Sequence, residues 1–415
     1  MKVLIIGSGG REHAIAVSLK KNKKITELFA LPGNGGIAAV AECVDIKVMD
    51  FDKILDFIKS HAIDFVVIGP DDPLVGGLAD LLIQHGVRVF GPTKNAAKLE
   101  GSKVFSKLFM KKYNIPTANF EIFSDYNLAV SYIRKKGAPI VIKADGLALG
   151  KGVVVAKTVD EAVLAVKEIM LDKIFGDSGK KVLIEECLYG REISVLAFCD
   201  GKTIKPMISA QDHKRINDDD MGPNTGGMGT FAPSPIYTDE IEKECYEKIF
   251  IPTLNGLKME EILFKGIIFF GLMVTEKGVM VIEYNARFGD PETQVVLPLL
   301  ETDLFDIFNA VVNQKLDEIE IKWSKENAVC VVMASGGYPK KYQTGYEIDG
   351  IENCGCDVFH AGTKIDNGRI LTAGGRVLGV TAIGKDMETA RDKAYDGVRK
   401  ISFTNVHYRT DIGKK

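Results

Sequence analysis

At 415 residues the chain is too long for one ordinary domain and fits two to four. Its 53 basic and 56 acidic residues nearly cancel, which argues against a dedicated nucleic-acid binder. No run reaches the ~18 apolar residues of a membrane span, and the seven cysteines are dispersed, with only Cys354 and Cys356 close, a pattern that suits a reducing compartment better than a disulfide framework.

The chain opens with Met1-Lys2, then V-L-I-I (3–6) and Gly7, an apolar run too short for a secretory signal. A cytoplasmic protein without nucleic-acid or membrane partners is expected. Strand signals at 3–6, 28–31, 64–68 and 87–90 each run into a Gly/Pro-rich loop, and a helix is predicted from about Arg11 to Lys21. Alternating strands and helices read as a parallel sheet covered on both faces, with its loops gathered at the carboxyl edge. Further strands are predicted at 139–143, 152–156, 181–185 and 192–198. Residues 211–235 are polar, rich in Gly, Asn and Asp, and show little periodicity; a loop that long is uncommon unless it is functional or disordered. Strands at 266–275 and 279–285 meet at the turn E-K-G, and Pro298 to Leu316 reads as helical. After Trp323 come strands near 328–333 and 376–382 and a helix near 386–400. The expected domains are 1–100, 101–320 with a lobe at about 120–190, and 321–415.

Several stretches carry chemistry. G-S-G-G-R-E-H (7–13) approaches a dinucleotide fingerprint, but Glu12 stands where the third glycine belongs. With P-G-N-G-G (32–36) on the next strand, it suits a small phosphorylated ligand or tight turns packed closely. V-I-K-A-D-G-L-A-L-G-K-G-V (141–153) is not a P-loop, since position 145 is Asp. It joins strand to strand, and Lys143 with the backbone of the glycine loop could meet phosphates. The run V-I-E-Y-N-A-R (281–287) would place Glu283, Asn285 and Arg287 on one strand face and Ile282, Tyr284 and Ala286 on the other. Glu and Asn oxygens suit Mg²⁺ sharing its shell with phosphate, and Arg287 suits an anion. An exposed Glu–Arg pair contributing ~0–1 kcal/mol is the plainer alternative. No G-x-S-x-G or H-E-x-x-H occurs, and the six histidines form no close pair along the chain, so no protein nucleophile is expected.

Taken together, the lysine before a glycine loop, the acidic strand end at E-E-C-L (185–188) and the acid-x-Asn strand resemble the ATP-grasp superfamily. More narrowly, the chain resembles the phosphoribosylamine–glycine ligases. The marks are G-S-G-G-R-E-H-A (7–14), P-G-N-G-G (32–36), K-A-D-G-L-A-L-G-K-G-V (143–153), Q-D-H-K-R (211–215), G-P-N-T-G-G-M-G (222–229), N-A-R-F-G-D-P-E-T-Q (285–294) and Y-R-T-D-I-G (408–413).

The resemblance implies an N-terminal parallel α/β domain, a central two-lobed α+β ATP-grasp region and a small C-terminal α/β domain. It implies ATP as substrate, held by Lys103, Lys143, Gly146, Gly150, Lys151, Glu185, Leu188 and Glu192. Glu283 and Asn285 would hold Mg²⁺, with Mn²⁺ as an alternative. Gly9, Gly10, Arg11, Asn34, Gly36, Asp212, His213, Lys214 and Arg287 would border phosphoribosylamine and glycine. Lys143, Arg287 and Asp290 would act in catalysis. The strand before the metal run reads Gly271-Leu-Met-Val and offers no second acidic ligand. The implied reaction joins glycine to phosphoribosylamine through glycyl phosphate, in a monomer in transient contact with the preceding enzyme of purine synthesis. Another ATP-grasp ligase or carboxylase of that route, a nucleotide-binding protein without turnover, and a nicotinamide oxidoreductase remain the rival expectations.

Overall fold

The structure is a computed structural model that describes residues 1–147 and 152–414. Five strands, β1 (Lys2–Gly7), β2 (Glu27–Pro32), β3 (Glu42–Cys43), β4 (Phe65–Ile68) and β5 (Arg88–Phe90), form a parallel sheet in the order β3-β2-β1-β4-β5. Val3 to Ile6 and Phe65 to Ile68 are buried, as expected for strands covered on both faces. The order reverses between β2 and β4 on either side of β1, and the glycine loop after β1 opens there.

A second sheet takes β6 (Phe120–Phe123), β7 (Ile140–Ala144), β8 (Val153–Ala156) and β9 (Val182–Glu186) in the order β6-β9-β7-β8. Helices Tyr126–Lys136 and Val159–Met170 pack together, and their buried faces share one apolar cluster with this sheet. The chain then forms β10 (Arg191–Cys199), β11 (Ile204–Pro206), β12 (Gln211–Asp212), β13 (Arg215–Asn217), β14 (Met221–Asn224), β15 (Gly229–Ala232), β16 (Gly266–Thr275) and β17 (Gly278–Asn285). Strands β11-β10-β16-β17 make the floor of the central region, and β13 and β14 make a separate hairpin.

The segment read from sequence as an unstructured loop is therefore built from short strands. Its partner lies far along the chain: β15 pairs with β18 (Asn327–Ser335), so that β12, β15, β18, β19 (Asp357–His360) and β22 (Arg376–Gly384) form one sheet. The intervening β20 (Thr363–Asp366) and β21 (Arg369–Thr372) pair with each other. Pairing across nearly a hundred residues leaves no local periodicity to read. The helical stretch expected over 298–316 is broken into a short turn at Leu297–Leu299 and a helix at Leu304–Val312.

Glu12 explains the broken dinucleotide pattern. It is buried, and its carboxylate accepts the Gly9 N–H at 2.6 Å at the start of helix Gly10–Lys20. A Cβ on Gly69, in the loop after β4, would lie 2.1 Å from Glu12 Oε1, and one on Gly7 would lie 2.5 Å from its Cγ. The acid thus occupies the crevice between β1 and β4, filling space that a dinucleotide would need. Substituting Gly69→Ala forces this side chain out. A loss of about 1–3 kcal/mol of stability is expected from overpacking, to be read from the denaturation midpoint at unchanged slope.

Candidate active site

Strand β17 does not alternate as the sequence suggested. Gly271 opposes Glu283 while the next residue, Leu272, opposes Val281, so Ile282 is an extra residue in the ladder. Ile282, expected on the far face with Tyr284 and Ala286, instead lines the cleft beside Glu283. Its carbonyl accepts from Lys143 Nζ at 3.2 Å. Tyr284 and Ala286 are buried behind the strand, as expected. The same cleft is lined by Glu192, Ser194, Asp212, Lys214 and Gly271.

Desolvation raises the pKa of half-buried Glu283, but Lys214, Lys143, Lys103 and Arg287 outweigh it and hold its carboxyl below the usual range. Lys214 lies 3.0 Å from Glu192 Oε2. Its ammonium is disfavoured by desolvation but pushed up, on balance, by Glu192, Glu283 and Asp212. Its side chain keeps 42% exposure, so the cation is available to the cleft. Lys103 begins helix Lys103–Lys112 and donates to the Gly146 carbonyl at 3.1 Å. Asp145 ties the same corner, accepting from Ser102 Oγ at 2.9 Å and the Val104 N–H at 3.1 Å. Gly150 and Lys151 lie outside the described residues. Leu188 follows β9 in a partly exposed segment.

The side chain of Glu185 is buried between Lys143 and Lys107, at 3.0 and 3.1 Å. The Lys143 contact is close enough for an ion pair but not aligned as a hydrogen bond. Any adenine contact at this strand end is left to the backbone.

Arg287 faces Glu100, a residue that nothing in the sequence singled out. Nη2 lies 2.9 Å from Glu100 Oε1, while Glu100 Oε2 accepts the Ala286 N–H at 2.7 Å. One buried acid thereby fixes the end of β17. Arg287 Nε is buried without a hydrogen-bond partner, which leaves a donor for an anion. Asn285 Oδ1 is 3.5 Å from Arg287 Nη2.

Asp290 is held ionised against burial by Arg376 and Arg11. Arg376 Nη2 is 3.4 Å from Asp290 Oδ1, and its Nη1 donates to the Gly226 and Asp290 carbonyls. Asp212 behaves oppositely: burial and then Glu292 raise its pKa well above the carboxylate range. Glu292 is raised by burial too, and accepts from Ser194 Oγ at 3.2 Å. Gly227, at φ +110°, is required where the chain passes Asp212: a Cβ there would meet Asp212 Oδ1 at 2.7 Å and Pro291 at 2.5 Å.

The N-terminal loops are packed rather than open. Arg11 donates to the Phe288 carbonyl at 3.1 Å and pairs with Glu12. A Cβ on Gly9 would lie 3.2 Å from Asp290 Oδ2, and one on Gly10 would lie 2.5 Å from Gln294 Nε2. Asn34 donates to the Ser8 and His360 carbonyls at 2.8 and 2.7 Å and accepts from Gly36 and Ile37 N–H groups. A Cβ on Gly36 would collide with His13 and His360 at about the same 2.5 Å range. These two histidines, remote in sequence, stand edge to face 5.4 Å apart, with His13 Nδ1 accepting the His360 N–H. Burial lowers them to about 3 and about 4, so this pair is neutral and structural.

His213 also turns away from the cleft. Nε2 accepts from the Gly413 N–H at 3.5 Å, and Nδ1 is 3.9 Å from Asp220. The tail Y-R-T-D-I-G grips this segment from outside. Arg409, fully buried, pairs with Asp220 at 2.9 Å and Asp411 at 2.7 Å. Thr410 binds Asp218 through its backbone and hydroxyl.

Among the described residues no three His, Cys, Asp or Glu side chains converge as a metal cluster. The donor set that does fit a divalent cation is Glu283, kept anionic by its neighbours, with the Asn285 amide oxygen two residues on. Two hard oxygens suit Mg²⁺ when phosphate and water complete its shell. A four-stranded sheet that brings Lys143 to the Ile282 carbonyl, beside the strand carrying Glu283 and Asn285, is the arrangement of an ATP-grasp protein.

Family models agree. The phosphoribosylglycinamide synthetase N domain matches residues 1–100, its ATP-grasp (A) domain 101–293 and its C domain 328–415. The chain belongs to the phosphoribosylglycinamide synthetase family. It is 49% identical over 414 residues to a phosphoribosylamine–glycine ligase of Clostridium acetobutylicum, covering 100% of both chains. It is 48% identical to one of Rhizobium meliloti, covering 100% of this chain and 98% of the relative. The crystal structure of the Thermotoga maritima phosphoribosylamine–glycine ligase superposes with a TM-score of 0.86 at 34% identity, covering 99% of this chain and 100% of that one. A Campylobacter jejuni biotin carboxylase shares the fold, with a TM-score of 0.76 at 12% identity over 98% of this chain and 92% of that one.

The grip of Arg409 generates a prediction. Arg409→Ala removes the buried cation shared by Asp411 and Asp220, and a loss of about 3 kcal/mol is expected. Hydrogen exchange should show the greatest loss of protection over residues 213–224.

Proposed function

We propose that this cleft joins glycine to 5-phosphoribosylamine at the expense of ATP, giving glycinamide ribonucleotide, ADP and phosphate, and that the residues assembled around Glu283 carry the reaction. The observation that supports the reading best is that Lys214, Lys143, Lys103 and Arg287 together hold the half-buried Glu283 carboxyl below its usual range. A carboxylate is a poor electrophile, so glycine must first take the γ-phosphoryl group. The amine then attacks the acyl carbon, the C–N bond forms, and the C–O bond to phosphate breaks to release free phosphate. Neither step needs a protein nucleophile; both need charge neutralisation and alignment.

Lys143 and Lys103 meet the phosphates of ATP in this reading, with Glu192 at the ribose and the ends of β9 at adenine. Glu283 and Asn285 hold Mg²⁺, for which Mn²⁺ can substitute. The cation, when bound, neutralises phosphoryl oxygens and so favours transfer to the glycine carboxylate. Arg287 offers its unpartnered Nε to the anion that forms, and Asp290, kept ionised, faces the glycine loop after β1. Asp212 and Lys214 border the amine and carboxylate substrates. The side chains of Asn34 and His213, and the backbone at Gly36, shape the pocket through packing. The reading extends to a cytoplasmic monomer that takes its unstable amine from the preceding enzyme in transient contact. No helix among the described residues is long and apolar enough to cross a membrane.

With phosphoribosylamine generated in situ, ADP release is expected only when glycine is added; release with bicarbonate or formate instead would favour another ATP-grasp reaction. Glu283→Ala should lower kcat by at least roughly 10²-fold. Its thermal midpoint should stay near the parent's, because Glu283 is only half-buried and the surrounding cations keep their other partners. An active Glu283→Ala enzyme would remove the metal assignment.

A further inference from the structure

Behind the cleft, one carboxylate serves two ammonium groups. Glu185 Oε1 is 3.0 Å from Lys143 Nζ, and Oε2 is 3.1 Å from Lys107 Nζ, with each of the three side chains no more than 4% exposed. Lys107 is anchored further: it donates to Thr117 Oγ1 at 2.6 Å, and that hydroxyl donates to the Val281 carbonyl at 2.6 Å. Lys143 donates to the next carbonyl, Ile282, in the bulge of the Glu283 strand. The neighbouring acid, Glu186, is occupied by the backbone N–H and side-chain amide of Asn119, at 2.8 and 2.9 Å. Two cations thus share one anion, leaving one positive charge over. Lys143 is the member of the pair whose field reaches Glu283.

We propose that Lys107 is a positioning residue for nucleotide: by neutralising Glu185 from behind, it leaves the charge of Lys143 available to phosphates entering the cleft. The proposal rests on the assignment of Lys143 to ATP. Without Lys107, Glu185 would pair with Lys143 alone and cancel the charge that the triphosphate needs. The protonation of Lys107 then matters. Burial pulls it down to about 8, against the pull of Glu185 and Glu186 and with the push of Lys143. Around it lie also the Phe120 ring and Lys111, which approaches the same ring. Lys107 is therefore charged below that pH and loses its charge as pH rises through it.

The test is equilibrium titration of the full chain with Mg-ATP. Lys107→Met should weaken ATP binding roughly tenfold or more, and Lys107→Met combined with Glu185→Gln should recover most of the loss by removing the acid that cancels Lys143. In the parent protein, affinity should fall from about pH 7 to about pH 9, and this fall should be absent in Lys107→Met. A Lys107→Met protein that binds ATP like the parent, a double variant no tighter than the single, or a flat parent pH profile would each overturn the role of Lys107. Should Lys107→Met fail to fold, the parent profile still decides. Lys143→Ala separates the two levels: parent-like affinity there would overturn the nucleotide assignment itself, whereas weak binding there with parent-like Lys107→Met overturns the proposal alone.

Discussion

A carboxylate drawn partly out of water is held ionised by cations brought to it, and half-buried Glu283 imposes that requirement on several separate pieces of the chain. Desolvation raises its pKa, and the net shift is nevertheless downward. The cations come from separate pieces of the chain: Lys103 from a helix start, Lys143 from β7, Lys214 from the segment after β12, and Arg287 from just beyond β17. Each must be aimed by its own supports. Lys103 is tied to the Gly146 carbonyl, Lys143 to Ile282 and Glu185, Lys214 to Glu192, and Arg287 to Glu100. An anionic site that can hold a divalent cation is thus ringed by positive charge suited to a polyphosphate. Ion and nucleotide suit this cleft together better than either does alone.

The same logic accounts for the sheet that joins distant parts of the chain. Asp212 and Lys214 flank His213, whose backbone is paired to Gly229 and Met228 and whose ring faces the C-terminal tail. Alternation then sends the neighbours of His213 the other way, into the cleft. Pairing of β15 with β18, and the Arg409 pairs with Asp220 and Asp411, hold this segment from behind. A polar segment with no apolar core of its own acquires order from the domain it rests on. The C-terminal region therefore contributes to the active site by fixing a strand and by supplying Arg376, which holds Asp290 ionised.

Much of the framework was legible because it is local. Four of the five strands of the N-terminal sheet, β7 to β10 and the β16–β17 hairpin were visible as apolar runs between turn residues, each within a residue or two of its place, whereas the two-residue β3 carried no such run. The run from Glu283 to Arg287 was legible by residue type, but its geometry was not: the register slip at Gly271 and Leu272 depends on the partner strand. Glu100, Lys107 and Arg376 were missed for a related reason. Each is an ordinary charged residue in its own stretch and gains meaning only from what the fold sets beside it. The signal that could have flagged Glu12 was present, since an acid in place of a fingerprint glycine must be accommodated somewhere.

That accommodation links the first glycine loop to the chemistry at the other end of the chain. Glu12 holds Gly9 and Arg11, Arg11 reaches the Phe288 carbonyl, and the backbone at Gly9 and Gly10 lies against Asp290 and Gln294. Had residue 12 been glycine, the crevice between β1 and β4 would have been open to a dinucleotide, and Arg11 would have lost its buried counter-ion. With glutamate there, the crevice is closed, and the loop edge turns instead toward the 285–294 run. One substitution in a familiar pattern thereby redirects a sheet that could have carried its own nucleotide into forming a wall of the cleft built around Glu283.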